Sequence, residues 1–272
     1  MTAILFTKAH GAGNDFLLTW LEDVPQHIVS AAPPHGLPEI ARAICERHTG
    51  VGADGWMLVD TRDPSLPAIR LFNADGSEPE LSGNGTRCAA ALLYHSGRVT
   101  GDAVRIRTGA GVKDLRLMEW SGHLYTFEMN MGVPVNKGLR EIPTTHGPIE
   151  ALILDVGNPQ AAVLVPDFPE NWRDIGAAIE SHPLFPNRTN VSFVKVLDEH
   201  AVEVRFYERG CGETMSSGTG STGAASAAIL QGLAKSPVRV VTPAGDLHFR
   251  WTDTAWLTGP AELVAGGQYL VS

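Results

Sequence analysis

Two serines occupy matched surroundings in distant parts of the chain. Ser82 lies in FNADGSEPELSGNGTRCAAALL, residues 72–93, and Ser217 lies in YERGCGETMSSGTGSTGAASAAIL, residues 207–230. Each segment runs from an aromatic residue through a polar residue and a glycine-containing turn to Ser-Gly-X-Gly, then into an alanine-rich apolar stretch. Asn73 stands nine residues before Ser82, and Glu208 stands nine before Ser217. The pattern predicts strand, loop and helix, with the tetrapeptide at the helix N-terminus. A helix N-terminus presents unpaired N–H groups and partial positive charge, and glycine lets a ligand approach the backbone. The chemistry on offer is the binding of a carboxylate or phosphate beside a serine hydroxyl. A serine N-cap with a glycine turn is also ordinary structure. It is the duplication, flanks included, that points to a site. Facing helices would hold one anion between Ser82 and Ser217.

The elements that must position these residues follow from periodicity and turn chemistry. Ile4–Lys8 and Phe16–Trp20 read as strands around the turn HGAGND, which places Asn14 after two glycines. The proline-rich segment 24–37 reads as loop. Residues 39–48 read as a helix, with Ile40, Ala43 and Ile44 on one face. Trp56–Val59 and Ile69–Asn73 read as strands, and residues 104–131 as short strands with turns. Residues 132–148 show no periodicity and make the best candidate for a domain crossing. Beyond it come strands 151–156 and 160–165, a helix 172–179, strands 190–196 and 202–207, the second repeat, and four short strand-like runs. The turn Gly157-Asn158-Pro159 resembles Gly13-Asn14, which extends the repeat over both halves. The expected fold is α+β, with two pseudo-symmetric halves, each a curved β-sheet or barrel around a central helix. The expected boundaries are 1–131, completed by about 263–272, and 132–262. The ligand cleft is expected at the N-termini of both helices.

Composition narrows the function classes. A net charge of −9 argues against nucleic acid and anionic membrane as partners. Three cysteines, an odd number without a C-x-x-C pair, fit a reduced cytoplasm better than a disulfide framework. No apolar run has the length of a membrane span, and the start lacks the shape of a signal peptide. Residues 218–223 fit G-x-G-x-x-G, but about ten residues of loop separate them from the strand, and no acid follows about 20 residues on. A dinucleotide site is therefore not expected. The ten histidines show no ligand spacing, so neither metal nor cofactor is expected.

At the repeats the sequence resembles the diaminopimelate epimerase family, within the wider group of cofactor-independent amino-acid racemases. The likeness spans nearly the whole chain and rests on HGAGNDF at 10–16, FNADGSE at 72–78, SGNGTRC at 82–88, GNP at 157–159, RTNVSFV at 188–194, and YERGCGET with SGTG at 207–220. The resemblance implies inversion of an amino-acid α-carbon by two bases, one removing the α-proton while the other protonates the opposite face. It implies Ser82 and Ser217 at the two catalytic positions. It implies Asn14, Asn73, Asn158 and Asn190 at the polar ends of the substrate, with Glu208 and Arg209 at its α-amino and carboxylate groups. Gly83, Asn84, Gly218 and Thr219 would donate around a carboxylate. A proline-type substrate would leave such polar groups unpaired at about 1–3 kcal/mol each, which favours a long, doubly zwitterionic ligand such as diaminopimelate. The family resemblance also allows a homodimer.

The chain departs from that family where the chemistry is done. Both catalytic positions are cysteine in the epimerases and serine in this chain. Gln160 stands where the family has a histidine thought to help deprotonate the first cysteine, and Ser216 stands where alanine is usual. Glu208, the presumed helper of the second cysteine, is retained. A thiol has a pKa of about 8.5, whereas a hydroxyl lies near that of water, about 15.7. Seven units correspond to roughly 9–10 kcal/mol more to form the base. Helix dipoles return about 0.3–2 kcal/mol of this. Ser82 is therefore not a credible general base in two-base inversion, and Ser217 beside Glu208 is better placed. Three accounts fit: deliberate replacement of both cysteines, divergence to amino-acid binding or one-sided elimination or isomerisation, and an epimerase using another base. Joint loss of cysteine and its histidine partner favours divergence.

Overall fold

The computed structural model describes residues 2–31 and 36–271. The chain divides into two compact units, Met1–Met129 with Pro260–Ser272, and Asn130–Gly259.

The first unit begins with β1 (Thr2–Gly11), β2 (Asn14–Trp20), a short helix α1 (Gln26–Val29) and α2 (Leu37–Cys45). It continues with β3 (Gly55–Asp60), β4 (Ala68–Asn73), α3 (Gly83–His95), β5 (Ala103–Thr108), β6 (Gly111–Ser121) and most of β7 (Leu124–Gly132). The second unit holds β8 (Val135–Thr144), β9 (Gly147–Asp155), β10 (Pro159–Leu164), α4 (Trp172–Glu180), β11 (Asn190–Asp198) and β12 (Ala201–Glu208). After these come β13 (Gly212–Thr214), α5 (Gly218–Leu230), β14 (Val238–Thr242), β15 (Gly245–Trp251) and the start of β16 (Ala255–Val271). The end of β16 pairs antiparallel with β1, so the C-terminus completes the first unit.

The fold is α+β, and its halves repeat one pairing scheme. β1 and β2 are antiparallel, β2 and β3 parallel, β3 and β4 antiparallel, β4 and β5 parallel, and β5 and β6 antiparallel. In the same sense β9 and β10 are antiparallel, β10 and β11 parallel, β11 and β12 antiparallel, β12 and β14 parallel, and β14 and β15 antiparallel. Each parallel pair needs a crossover. The helices α2 and α4 span the first crossover of each half, and α3 and α5 span the second.

The central strands are buried on both faces, as the near-continuous burial of Gly55–Asp60 shows. Alternate residues serve different helices. Leu17, Trp56, Leu58 and Phe72 join the α2 side chains Ala41 and Ile44 in one core. Trp172, Ile175 and Ile179 of α4 meet Ala161, Val191 and Phe193 in the other half. The opposite face receives α3 or α5. These two helices are buried on every side over Gly83–Leu93 and Gly218–Ala228, which explains their lack of an amphipathic stripe. Their small residues let the sheet close on them. A Cβ on Gly85 would lie 2.7 Å from Met57 Cε, and one on Gly220 would lie 2.7 Å from Phe206 Cδ1. These two glycines therefore fit helix to sheet, rather than opening backbone to a ligand.

The structure corrects the sequence reading at three places. Segment 24–37 contains the helical turn α1, while residues 32–35 lie outside those described. Residues 132–148 are not irregular, because β8 fills 135–144 and pairs with β9. Among the β8 residues only Ile142 is buried, so this outermost strand has no apolar alternation to betray it. The runs AWLTG and AELVAG are one long strand, β16.

Gly220→Ala is expected to destabilise the protein by about 3 kcal/mol, since the buried Phe206 ring and the Ser217 Cβ, 2.9 Å away, cannot yield. Gly85→Ala is expected to cost about 1 kcal/mol, because the end of Met57 can turn aside. Urea unfolding of both variants checks the order.

Candidate functional site

Ser217 is the N-cap of α5, with extended backbone at φ −138° and ψ 125°. Its Oγ accepts the Gly220 N–H at 3.0 Å and donates to Glu208 Oε1 at 2.6 Å. Thr214 Oγ1 donates to Glu208 Oε2 at 2.7 Å. The carboxylate thus has a hydroxyl on each oxygen. The β12–β13 hairpin holds it there, with Glu208 opposite Gly212 and Phe206 opposite Thr214. Ser217 is 3% exposed, while Glu208 is half-buried. By helix geometry the N–H groups of Gly218 and Thr219 point out of the helix end.

Asn158 joins this cluster, donating from Nδ2 to Thr219 Oγ1 at 3.2 Å and accepting from Gln160 Nε2 at 2.7 Å. Gln160 is buried against Gly223 of α5, and its Oε1 has no protein partner among the described residues. Asn190 accepts the Arg209 N–H at 2.9 Å and donates to the Pro159 carbonyl at 3.2 Å. The Arg209 side chain reaches the Asn187 carbonyl at 3.2 Å. A residue not anticipated from sequence, Glu180, fixes this edge. Its carboxylate is 2% exposed, pairs with Arg188 Nη2 at 2.5 Å and accepts the Gly210 N–H at 3.2 Å.

In the first unit Ser82 is the N-cap of α3 with the same geometry, φ −125° and ψ 118°, and accepts the Gly85 N–H at 3.1 Å. No carboxylate meets its Oγ among the described residues. The Gly83 and Asn84 N–H groups point out of this helix end. Asn14 opens β2 after a two-residue turn in which Ala12 and Gly13 have φ of 50° and 76°, the left-handed pair that a type I′ hairpin needs. Asn84 Nδ2 donates to Asn14 Oδ1 at 3.4 Å, and Asn14 Nδ2 to Asp54 Oδ2 at 2.8 Å. Asn73 stands apart from this line. Its amide donates to Ser77 Oγ at 3.0 Å within its own turn.

Arg87, Asp54 and Lys8 were not singled out from sequence, and Arg47, which reads from sequence as part of a solvated helix face with Glu39 and Glu46, lies beyond α2 and pairs with Asp15 and Asp54. Arg87 is fully buried and burial pushes its guanidinium down to about 10. Its position in the SGNGTRC motif, inside a helix with no solvated face, is the signal that could have found it. Cys45 and Cys88 are both buried, and burial pushes each thiol up to about 12.

A family model described as diaminopimelate epimerase matches residues 6–136 and 152–264. A diaminopimelate epimerase of Pelotomaculum thermopropionicum is 38% identical over 97% of this chain and 98% of its own length. One from Nitrosospira multiformis is also 38% identical, over 97% of each. Among solved structures, a hydroxyproline epimerase from Agrobacterium vitis superposes with a TM-score of 0.78 at 18% identity, covering 98% of this chain and 92% of that one. A methylitaconate-delta-isomerase gives 0.66 at 14% identity, covering 98% and 95%. These structural likenesses concern the fold.

The charged residues behind Asn14 make stability depend on pH. Burial pushes the Asp15 carboxyl up, but its bonds to Arg47 at 3.0 Å and Lys8 at 2.9 Å outweigh this and leave it below its ordinary value. A depressed carboxylate contributes stability above the unfolded value, about 3.9, and loses it as pH falls through the folded one. Asp54 is raised, by burial first and then by the Asp15 charge, so its contribution has the opposite sign. Native stability is therefore expected to drop below about pH 4, with a shallower drop in Asp15→Asn. Urea midpoints across that range measure it.

Proposed function

The chain belongs to the diaminopimelate epimerase family, and from that membership we propose a cofactor-independent isomerase of lysine and peptidoglycan-precursor synthesis that works in the cytoplasm. Its ligand is diaminopimelate, and its reaction is interconversion of the LL and meso forms, slowed severely by serine at both proton-transfer positions. The observation that carries this reading is the 2.6 Å hydrogen bond from Ser217 to Glu208 at the N-terminus of a buried helix. As Ser217 Oγ takes the α-proton it passes its own proton to Glu208, so no free alkoxide forms: the Glu208 carboxylate is neutralised and the negative charge moves to the substrate α-carbon. The helix-end N–H groups of Gly83, Asn84, Gly218 and Thr219 stabilise the substrate carboxylate and the charge that develops beside it. Asn14, Asn158 and Asn190 take its polar ends, and Glu208 and Arg209 its α-amino and carboxylate groups. Asn73 remains a candidate for the distal end, provided its Ser77 bond opens. The net charge of −9 speaks against nucleic acid as a partner. No described helix is long and apolar enough to cross a membrane. The odd cysteine count supports the reducing compartment, and a homodimer is the proposed assembly.

The contrast between the two serines favours a second reading. Ser217 has a carboxylate and Ser82 has none among the described residues, which suits proton transfer from one face. A dehydratase or isomerase of a related amino acid needs no second base, and a non-catalytic amino-acid-binding protein needs neither.

Exchange at the α-carbon in deuterium oxide, read by NMR with LL- and meso-diaminopimelate, separates these. The chain is expected to exchange slowly, and Ser82→Cys/Ser217→Cys to run about 10²-fold faster or more. Equal rates at enzyme-like speed would show that another base serves. Exchange without inversion favours one-sided chemistry. Silence in both chains would sink the diaminopimelate assignment.

A further inference from the structure

Four side chains of the first unit form one hydrogen-bonded line. Arg87 Nη2 donates to Asn84 Oδ1 at 2.5 Å, Asn84 Nδ2 to Asn14 Oδ1 at 3.4 Å, and Asn14 Nδ2 to Asp54 Oδ2 at 2.8 Å. An amide can be turned end for end with little change of shape, so its polarity is decided by its partners. In this line the ends admit one solution. A guanidinium only donates and a carboxylate only accepts. Asn84 must present oxygen to Arg87, which turns its nitrogen toward Asn14. Asn14 must present nitrogen to Asp54, which turns its oxygen toward Asn84. Reversing either amide sets like against like at both of its neighbours.

Both ends are themselves anchored. Arg87 is fully buried and its Nε donates to the Pro260 carbonyl at 3.2 Å. Asp54 Oδ2 accepts the Asp15 N–H at 3.1 Å, and Arg47 Nη2 reaches Asp54 Oδ1 at 2.8 Å. The Asp54 N–H returns the contact to Asp15 Oδ1 at 3.0 Å. The Asp54 carboxylate therefore cannot swing away from Asn14 without breaking two further bonds.

We propose that Arg87 and Asp54 are positioning residues that fix the amide polarity of Asn84 and Asn14, and so decide which way Asn14 meets a ligand. This rests on the reading of Asn14 as a binding residue. With both line contacts made, Asn14 keeps one N–H and one oxygen lone pair without a protein partner among the described residues. A donor and an acceptor held at fixed places on one amide suit an amino-acid zwitterion, whose carboxylate accepts and whose ammonium donates. An amide free to flip would present the two groups in either order.

A polarity swap tests this. Asn14→Asp places oxygen against the Asp54 carboxylate and is expected to lower Tm by about 5 °C. In Asn14→Asp/Asp54→Asn the donor and acceptor exchange places at the cost of the Asp15 N–H contact to the same atom, and Tm is expected to recover about half of that loss. The same double variant lacks the Asn14 N–H, so its Kd for meso-diaminopimelate by calorimetry should be about tenfold weaker or worse. Additive losses of Tm in the double variant would overturn the proposal. If Asn14→Asp does not fold, Asp54→Asn alone decides. The carboxylate-bound Asn14 amide proton should move upfield in ¹H–¹⁵N spectra, and an unmoved resonance overturns the proposal. Failure of the parent to bind meso-diaminopimelate would count against the substrate reading alone, since the Tm cycle and the amide resonance need no ligand.

Discussion

Two buried helix ends set the terms for this molecule. A helix enclosed by sheet cannot leave its first N–H groups to water, and each unmade hydrogen bond there costs about 1–3 kcal/mol. Ser82 and Ser217 answer that constraint in the same way, each accepting the N–H three residues on. The cap also fixes the hydroxyl at the mouth of the helix dipole, where charge can develop. Fold and chemistry thus depend on the same oxygen. A hydroxyl accepts a hydrogen bond better than a thiol does, so serine suits the cap while sacrificing basicity.

The halves share topology and caps but not electrostatics. The second unit surrounds its serine with carboxylate. Glu208 takes Ser217 and Thr214, and the buried Glu180 ties Arg188 to Gly210 next to Arg209. In the first unit the serine Oγ meets only the Gly85 N–H among the described residues, and a line of amides runs between charged ends at Arg87 and Asp54. A carboxylate thus stands against the hydroxyl of Ser217, and none against that of Ser82 among the described residues. Gln160 marks the same division. It holds Asn158 by a neutral amide bond at 2.7 Å, which carries no exchangeable charge.

Much of this was legible from residue order, because the determining interactions are local. Ser-Gly-X-Gly before an alanine run announces an N-capped helix, and both such helices formed with serine at the cap. Alternating apolar residues announced β12, and β4 and β10 formed where strands were expected. β8 was missed because an outer strand exposes both faces and carries no alternation. Asn73 was grouped with the other asparagines on motif alone. Its turn offers Ser77 as a nearer partner, and the separation of four residues makes that bond easy to form.

What the order of residues determined by itself was the duplication, the two caps and the chemical poverty of serine as a base, all of which follow from residue type and short spacing. What only the tertiary structure decided was which side chains share a proton or a charge. Arg87 and Pro260 lie far apart in the chain, as do Asn14 and Asn84, and no periodicity encodes contacts of that range. They exist because a parallel pairing scheme folds distant strands around one buried helix. A donor-only and an acceptor-only group placed at the ends of an amide line then leave its orientation no choice.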